Sequence, residues 1–431
     1  KSVSNPIDAF ILKKLEQEGF TFAQRATNTI LIRRLKFDLL GLPPTPEEIE
    51  EFVNNDSANA YERLVEQFLS SPHYGERWGR HWLDVAGYSD SEGYSVEDRE
   101  RPDAWRYRDY VIRSFNEDKP FDLFILEQLA GDELIKSPLN NLTPEDADLL
   151  VATGFLRMGP DGTGGKVDDV NLARNEVVAE TIKIITSSLL GMTVGCAQCH
   201  DHRYDPIPQS DYYQLRAVFD PALDWKKWRT PAQRRVSLYT DEDRKQAAEI
   251  EEKAKAVLAD RTMKEKEFIA ATFEKQLETI PEEMHELARE THATTAKERT
   301  ADHKNLIKKY PKLNVTASSL YLYDKKAADE LKKLADEAAK IRKTKKPQDY
   351  VRATTELAGS VPDSFLFNRG DHEQPKDKVV PSGLTVVSLT SDVPAIPENN
   401  PDLKTTGRRT SFAKRLTSPN HPLTSRVIVN R

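Results

Sequence analysis

The chain has 431 residues, which exceeds the size at which one hydrophobic core usually stops growing, so we expect at least two structural units. Hydrophobic residues make up 38% and charged residues 31%, and the net charge of -7 mixes both signs, which excludes the basic surface of a nucleic-acid-binding protein. No stretch is apolar enough to predict a membrane span, and the first residues lack the apolar core of a signal peptide, so we expect any export signal to have been removed.

Residues 1–220 have the pattern of a helical domain. Ile7, Phe10 and Ile11 recur at helical spacing and predict a first helix with one apolar face. The stretch 159–170 holds four glycines and no apolar period, so it is predicted to be a loop.

Two helices of this region carry clear start and stop signals. Thr27 or Asn28 can cap the second helix, and Gly41 ends it. Thr45 caps the third helix, with Pro46 at its first helical position. Further helices are expected over 60–70, 74–86, 104–116, 121–130 and 171–192.

Residues 221–345 are predicted to form a charged helical-hairpin insertion. Charge rises, glycine almost vanishes and the apolar residues thin to a narrow seam with the spacing of a coiled coil. We expect these solvated helices to pack on the core, or to dock a larger assembly. The seam consists of Ala327, Leu331, Leu334, Ala338 and Ile341.

Residues 346–431 are predicted to be the β-containing start of a second domain, truncated at its end. Short β-like runs at 365–367 and 384–389 alternate with proline-rich turns, so no helix is expected after Pro347. The fold class is therefore expected to be mainly α, with the helical-hairpin insertion and a short β-containing C-terminal segment.

Both cysteines of the chain lie in CAQCH, residues 196–200. Two thiols at this spacing can each add to one vinyl group of a haem, and the adjacent imidazole can bind the iron. The motif therefore predicts one covalent haem c, held by Cys196 and Cys199 with His200 as proximal ligand, in a protein that works outside the cytoplasm.

Three other interpretations of the motif stay open. A zinc site would add two of His200, His202 and Asp205 to the cysteines, but zinc sites usually take their second ligand pair from a separate hairpin. A thioredoxin-like redox pair would follow a strand, whereas an apolar helix precedes this motif. The third is a chance match.

The segment CAQCHDHRYDPIPQSDYY resembles the planctomycete cytochrome c family, whose members join a helical cytochrome-type domain to a second domain of uncharacterised function. LIRRLKFDLLGLPPTPEEIEEF, YGERWGRHWLDVAGYSDSEGY and ATGFLRMGP resemble the same family, and similar segments cover nearly all of residues 1–220. FLFNRGDHEQP and SPNHPLTSRVIVNR resemble the start of the family's second domain. The resemblance implies an exported haem protein with a helical haem c domain over 1–220, and it supplies no reaction.

Whether a residue fills the sixth coordination position of the iron decides between two functions. A filled position suits electron transfer, and an open position suits the binding of small ligands. His81 shares a helix face with Trp78 and is the first candidate; otherwise it is a histidine hydrogen-bonded in an aromatic core. His73 and Met158 are weaker candidates. Arg203 can bind a haem propionate, or can pair with a neighbouring aspartate.

The leading functional hypothesis is a periplasmic or cell-surface c-type cytochrome that passes single electrons to a redox partner protein. One alternative is a haem enzyme or ligand sensor with an open iron, which would use His81 or an arginine of residues 101–108. Another is a structural protein with an incidental haem, whose charged hairpin docks a larger assembly.

Overall fold

The structure is a computed structural model that describes residues 3, 5–93, 98–387 and 395–430. The described residues are mainly helical, with four short strands, which confirms the predicted fold class. The helices of the first half are α1 (Pro6–Gln17), α2 (Asn28–Leu40), α3 (Pro46–Val53), α4 (Ala60–Leu69), α5 (Pro72–Ala86), α6 (Ala104–Asn116), α7 (Phe121–Leu134), α8 (Pro144–Ala152), α9 (Val170–Ile185) and α10 (Gln209–Phe219).

Local signals set the C-terminal end of α2 and the start of α3 as predicted, whereas Thr27, at the N-cap position of α2, makes no side-chain capping hydrogen bond. Gly41 follows α2 with φ 74°, a left-handed conformation that side chains with a Cβ rarely adopt. Thr45 accepts a hydrogen bond from the backbone N–H of Glu48, and the Glu48 carboxylate accepts one from the N–H of Thr45. This reciprocal capping satisfies two backbone donors that the helix itself leaves unpaired.

The apolar face predicted for α1 is correct in its spacing, but the structure leaves it in solvent. Phe10 is 77% exposed and Ile7 is 70% exposed, and Leu12 is the buried residue of the helix. Periodicity identifies a face of a helix, and it does not identify what covers that face.

The described residues divide into two compact units. The first comprises residues 1–236 and 350–431, and the second comprises 237–349. In the core of the first unit the indole Nε1 of Trp82 donates to Gln128 Oε1 at 2.8 Å, and the Trp82 ring packs edge-on against Phe124 at 4.9 Å. The predicted domain boundaries stay a prediction.

The C-terminal part of the first unit contains both strands and helices. Its strands are β2 (Tyr350–Arg352), which pairs with β1 (Arg235–Ser237), and the antiparallel β3 (Ser364–Asn368) and β4 (Asp371–Val379). Its helices are α15 (Arg408–Leu416) and α16 (Thr424–Asn430).

Two expectations for residues 346–431 are therefore wrong. Helices do follow Pro347, because α15 is held by tertiary contacts, which a local pattern cannot show. The β-like run at 384–389 begins with a 3-10 turn over Thr385–Val387, and its last two residues lie outside the described part.

The second unit is a charged helical hairpin with its own core. Its helices are α11 (Asp241–Leu277), α12 (His285–Ala293), α13 (Ala301–Lys309) and α14 (Lys325–Lys343), and α11 runs antiparallel to α14, since Glu251 pairs with Arg342 and Lys264 pairs with Glu330. The predicted seam of α14 faces inward: Leu331 is 5% exposed and Ala338 is 1% exposed. None of the helices in the described ranges is long and apolar enough to cross a membrane.

Candidate functional site

Helix α9 leads into the CAQCH segment through a change of helical geometry. Residues Thr186–Leu190 continue α9 as one π-helical turn, in which Thr186 and Ser188 donate their hydroxyls to carbonyls of the preceding turn. Gly191 then ends the helix with φ 62°. Turns of this kind often occur at functional sites, because they redirect the chain without ending the helix early.

The two cysteines lie on a short 3-10 helix, Gly195–Gln198, with the second just beyond its end. Val194 and Ala197 are fully buried and anchor this turn to the core. Cys196 and Cys199 are free thiols, and both are exposed. The anchored turn thus places both cysteines on the surface of the first unit.

His200 follows the second cysteine and is exposed. Its ring Nδ1 lies 2.7 Å from the backbone carbonyl oxygen of Asp201. A carbonyl oxygen can only accept, so Nδ1 carries the hydrogen and Nε2 keeps its lone pair. Histidines that bind a metal usually have this arrangement, with one ring nitrogen held by an acceptor and the other on the metal.

His202 has a different role, because its side chain is 8% exposed and holds the loop after the motif. Its ring Nδ1 accepts a hydrogen bond from the backbone N–H of Asp205 at 2.9 Å, and the backbone N–H of His202 donates to the backbone carbonyl of Ile207. The Asp205 carboxylate is 3.2 Å from the same Nδ1, but a nitrogen that accepts an N–H bears no proton. This histidine therefore anchors the turn that follows the motif.

Two side chains of α10, Gln209 and Tyr213, hold the backbone of the motif by hydrogen bonds. The carbonyl of Gln198 accepts from the Tyr213 hydroxyl at 2.9 Å and from Gln209 Nε2 at 3.0 Å. Gln209 Nε2 also reaches the carbonyl of Phe367 in β3, at 3.0 Å. Burial raises the pKa of Tyr213, so its hydroxyl stays protonated and remains a donor.

The turn between β3 and β4 lies directly against Cys199. Gly370 sits in this turn with φ 81°, and a Cβ at this position would come 2.8 Å from Cys199 Sγ. Only glycine fits both the backbone conformation and the space. The sequence analysis did not predict this contact. The sequence does signal the turn itself, because Asn-Arg-Gly-Asp between two β-like runs is typical of a hairpin.

A cavity of about 350 Å³ lies beside the same hairpin. Its walls include Trp225 and Phe367, and His372 packs edge-on against Trp225 at 5.4 Å. Arg216 also lines it, with Nε paired to Asp220 at 3.3 Å and Nη2 bonded to Asn175. Phe367 therefore lines the cavity, and its backbone carbonyl also binds Gln209, which supports the CAQCH backbone.

Arg203 and His81, two candidate residues outside the CAQCH motif, lie in different surroundings. Arg203 is exposed beside the motif, with its guanidinium 5.6 Å from the ring of Tyr204, which is itself 84% exposed. Asp201 accepts from the backbone of Gln209 instead of pairing with Arg203, so this guanidinium is available to a ligand.

His81 lies on α5, half-buried, with its ring 5.5 Å from that of Trp78. Within the described ranges no hydrogen bond or ring contact joins His81 to residues 196–200. Its role as a sixth ligand stays a prediction.

The remaining candidates have structural partners. Met158 is 7% exposed and packs in the core, and its carbonyl accepts from buried Arg101. His73 lies in the first turn of α5 and pairs with Glu76 at 2.8 Å.

The donor set at the motif fits a covalent haem better than a zinc ion. The described residues contain no group of three or more His, Cys, Asp or Glu side chains arranged to hold a metal. A haem needs only two reachable thiols and one imidazole nitrogen, and Cys196, Cys199 and His200 supply these.

Comparison with known proteins identifies one family. The family model for PSCyt2, a protein of unknown function (DUF1549), matches residues 6–223, which is just over half of the chain and contains α1 to α10 with the CAQCH motif. No curated protein and no solved structure matches the chain significantly. The hairpin that contacts Cys199 lies outside the matched range. The chain therefore belongs to the PSCyt2 family, a planctomycete-associated family of unknown function.

Proposed function

We propose that this protein carries one covalent haem c on Cys196 and Cys199, with His200 as the proximal ligand, and that it transfers single electrons. The free state and shared exposure of the two cysteines support this proposal most strongly, together with an adjacent imidazole whose Nε2 has no hydrogen-bond partner among the described residues. When bound, haem c supplies reversible one-electron chemistry at its iron.

The chain's own residues prepare the attachment in three ways. Buried Val194 and Ala197 fix the turn on which both exposed cysteines lie, so that a thioether bond to each vinyl group could form there. The Asp201 carbonyl fixes the tautomer of His200. Tyr213 and Gln209 hold the Gln198 carbonyl, which limits movement of the backbone between the two sulfurs.

Neighbouring side chains can orient the group. The exposed guanidinium of Arg203 suits a propionate, because arginine binds carboxylates through paired N–H donors. The exposed ring of Tyr204 offers apolar surface that a macrocycle would cover. The proposal places the protein outside the cytoplasm, with a redox protein as its partner.

Optical spectra test the electron-transfer function. The protein is produced in a host with c-type maturation, and its reduced spectrum is recorded with and without carbon monoxide. We expect sharp c-type bands that carbon monoxide leaves unchanged, because an electron-transfer iron has both axial positions filled. Bands that shift with carbon monoxide would contradict electron transfer and favour an open iron.

The same spectra identify the contribution of His81. If His81 fills the sixth position, His81→Ala makes the spectrum sensitive to carbon monoxide while the haem stays attached. His73→Ala is the matched control, since His73 is exposed and pairs only with Glu76 in the same helix. Its spectrum should equal that of the unchanged protein.

A further inference from the structure

Two arginines share one buried carboxylate near the start of α6. Glu92, 4% exposed, accepts from Arg101 Nε at 2.9 Å and from Arg352 Nη1. Arg101 uses its other nitrogens on the carbonyls of Met158 and Gly159. This trio carries one positive charge in excess.

A second trio of the same composition lies beside the first. Asp161, 2% exposed, accepts from Arg157 Nη2 and, at 3.3 Å, from Arg234 Nη2. Arg157 also stacks on the ring of Trp228 at 4.1 Å. This trio has an excess of one positive charge as well.

We name these six residues the arginine cluster: Glu92, Arg101, Arg157, Asp161, Arg234 and Arg352. It holds four guanidinium groups and two carboxylates, so the cluster itself carries two positive charges in excess. Asp103 lines the same cavity as these arginines, but it pairs with Arg235 at 2.7 Å. Excess charge of one sign is costly inside a protein unless a counter-ion is present.

The cluster is desolvated as well as unbalanced. Arg157 is 5% exposed and Arg234 is 3% exposed, and the Nε atoms of both are buried with no hydrogen-bond partner in the part of the chain that the structure describes. Burial lowers the pKa of both guanidinium groups. Unused donors on buried cations are the chemistry that recognises an anion.

A small cavity lies at this point. Its volume is about 30 Å³, and Arg101, Arg157, Arg234 and Arg352 all line it. The size leaves room for one or two particles of the size of water.

We propose that this cavity binds one small monovalent anion of the size of chloride. Chloride is only slightly larger than a water molecule, and it would accept from the unused N–H groups while it cancels half of the excess charge. Phosphate and sulfate are too large for the cavity; a neighbouring cavity of about 280 Å³, which Arg352 also lines, has room for them.

Thermal unfolding of the intact chain tests the site. Chloride replaces gluconate at constant ionic strength, so that screening does not change. The melting temperature should rise with chloride, since each tenfold increase above Kd multiplies the folding equilibrium constant by about ten. Equal melting temperatures in both salts would overturn the proposal, as would a rise in phosphate or sulfate but not in chloride.

Two variants locate the effect. Arg352→Gln removes one of the two excess charges and should abolish most of the chloride-dependent rise, whereas Glu92 keeps its bond to Arg101. Arg113→Gln is the matched control, because Arg113 is an exposed arginine that pairs with Asp148 at 2.7 Å. An equal response in both variants would contradict the assignment.

Crystallography of the unchanged protein gives a second readout that needs no variant. Crystals grown in bromide should show an anomalous peak inside the cavity. Ordered water alone at saturating bromide would overturn the proposal.

Discussion

Replacing Arg409 by methionine removes the cation that three buried carboxylates share. Arg409 is fully buried at the start of α15, and its Nη1 lies 2.6 Å from Asp132 Oδ1. Its Nη2 is 3.2 Å from Glu356, and its Nε is 3.3 Å from Glu133. These contacts tie the C-terminal segment to α7.

The expected loss is large because methionine fills the space without neutralising the charge. Removing one partner of a buried ion pair typically costs about 3–5 kcal/mol. The three carboxylates left behind, Asp132, Glu133 and Glu356, have side chains that are 3%, 0% and 2% exposed. Their pKa values in the folded variant should rise, so the loss should be greatest near pH 8 and shrink toward pH 5 as they become protonated.

Urea unfolding followed by tryptophan fluorescence measures this loss. All five tryptophans lie in residues 78–228, so the signal reports the first unit alone. Lys414→Met is the matched control, because Lys414 is exposed on the same helix, and it should change the free energy of unfolding by less than about 0.5 kcal/mol. A loss below about 1 kcal/mol at pH 7, or an equal loss in the control, would refute the reasoning.

Three further predictions concern other parts of the chain. Burial raises the pKa of Glu133 above its ordinary value, so the stability that this group contributes is present at low pH and is lost as pH rises through the raised pKa; Glu133→Gln should remove this fall, measured by urea unfolding at pH 4.5 and 8. Gly370→Ala places a Cβ 2.8 Å from Cys199 Sγ and forces alanine into a left-handed backbone conformation, so the turn must shift against the cysteine; it should lower the fraction of chains with attached haem, measured by intact mass, and an unchanged fraction would contradict this expectation. Leu331→Ala should cost about 2–5 kcal/mol in the second unit, measured by circular dichroism, while the tryptophan transition stays in place.

Features that depend on neighbouring residues could be predicted from the sequence. Thr45 and Glu48 are three positions apart, so their reciprocal capping follows from local geometry alone. The seam of α14 follows in the same way from its spacing, and the CAQCH motif brings two thiols and an imidazole together within five residues.

Features that depend on distant residues could not be predicted. Gly370 contacts Cys199 from far along the chain, and the pairing of Arg409 with Asp132 joins two segments that are even farther apart in the sequence. Charge and spacing give no measure of which distant groups meet, because that depends on how the helices pack. The exposed apolar face of α1 shows the same limit, since helical periodicity does not predict which surface, if any, packs against that face.

Intact mass under denaturing conditions tests the haem attachment most directly. Protein from a host with c-type maturation is compared with the Cys196→Ala, Cys199→Ala double variant. The unchanged chain should carry the additional mass of one haem through denaturation, and the double variant should carry none. A chain that acquires no haem mass, although the same host matures a known c-type cytochrome, would contradict the proposal.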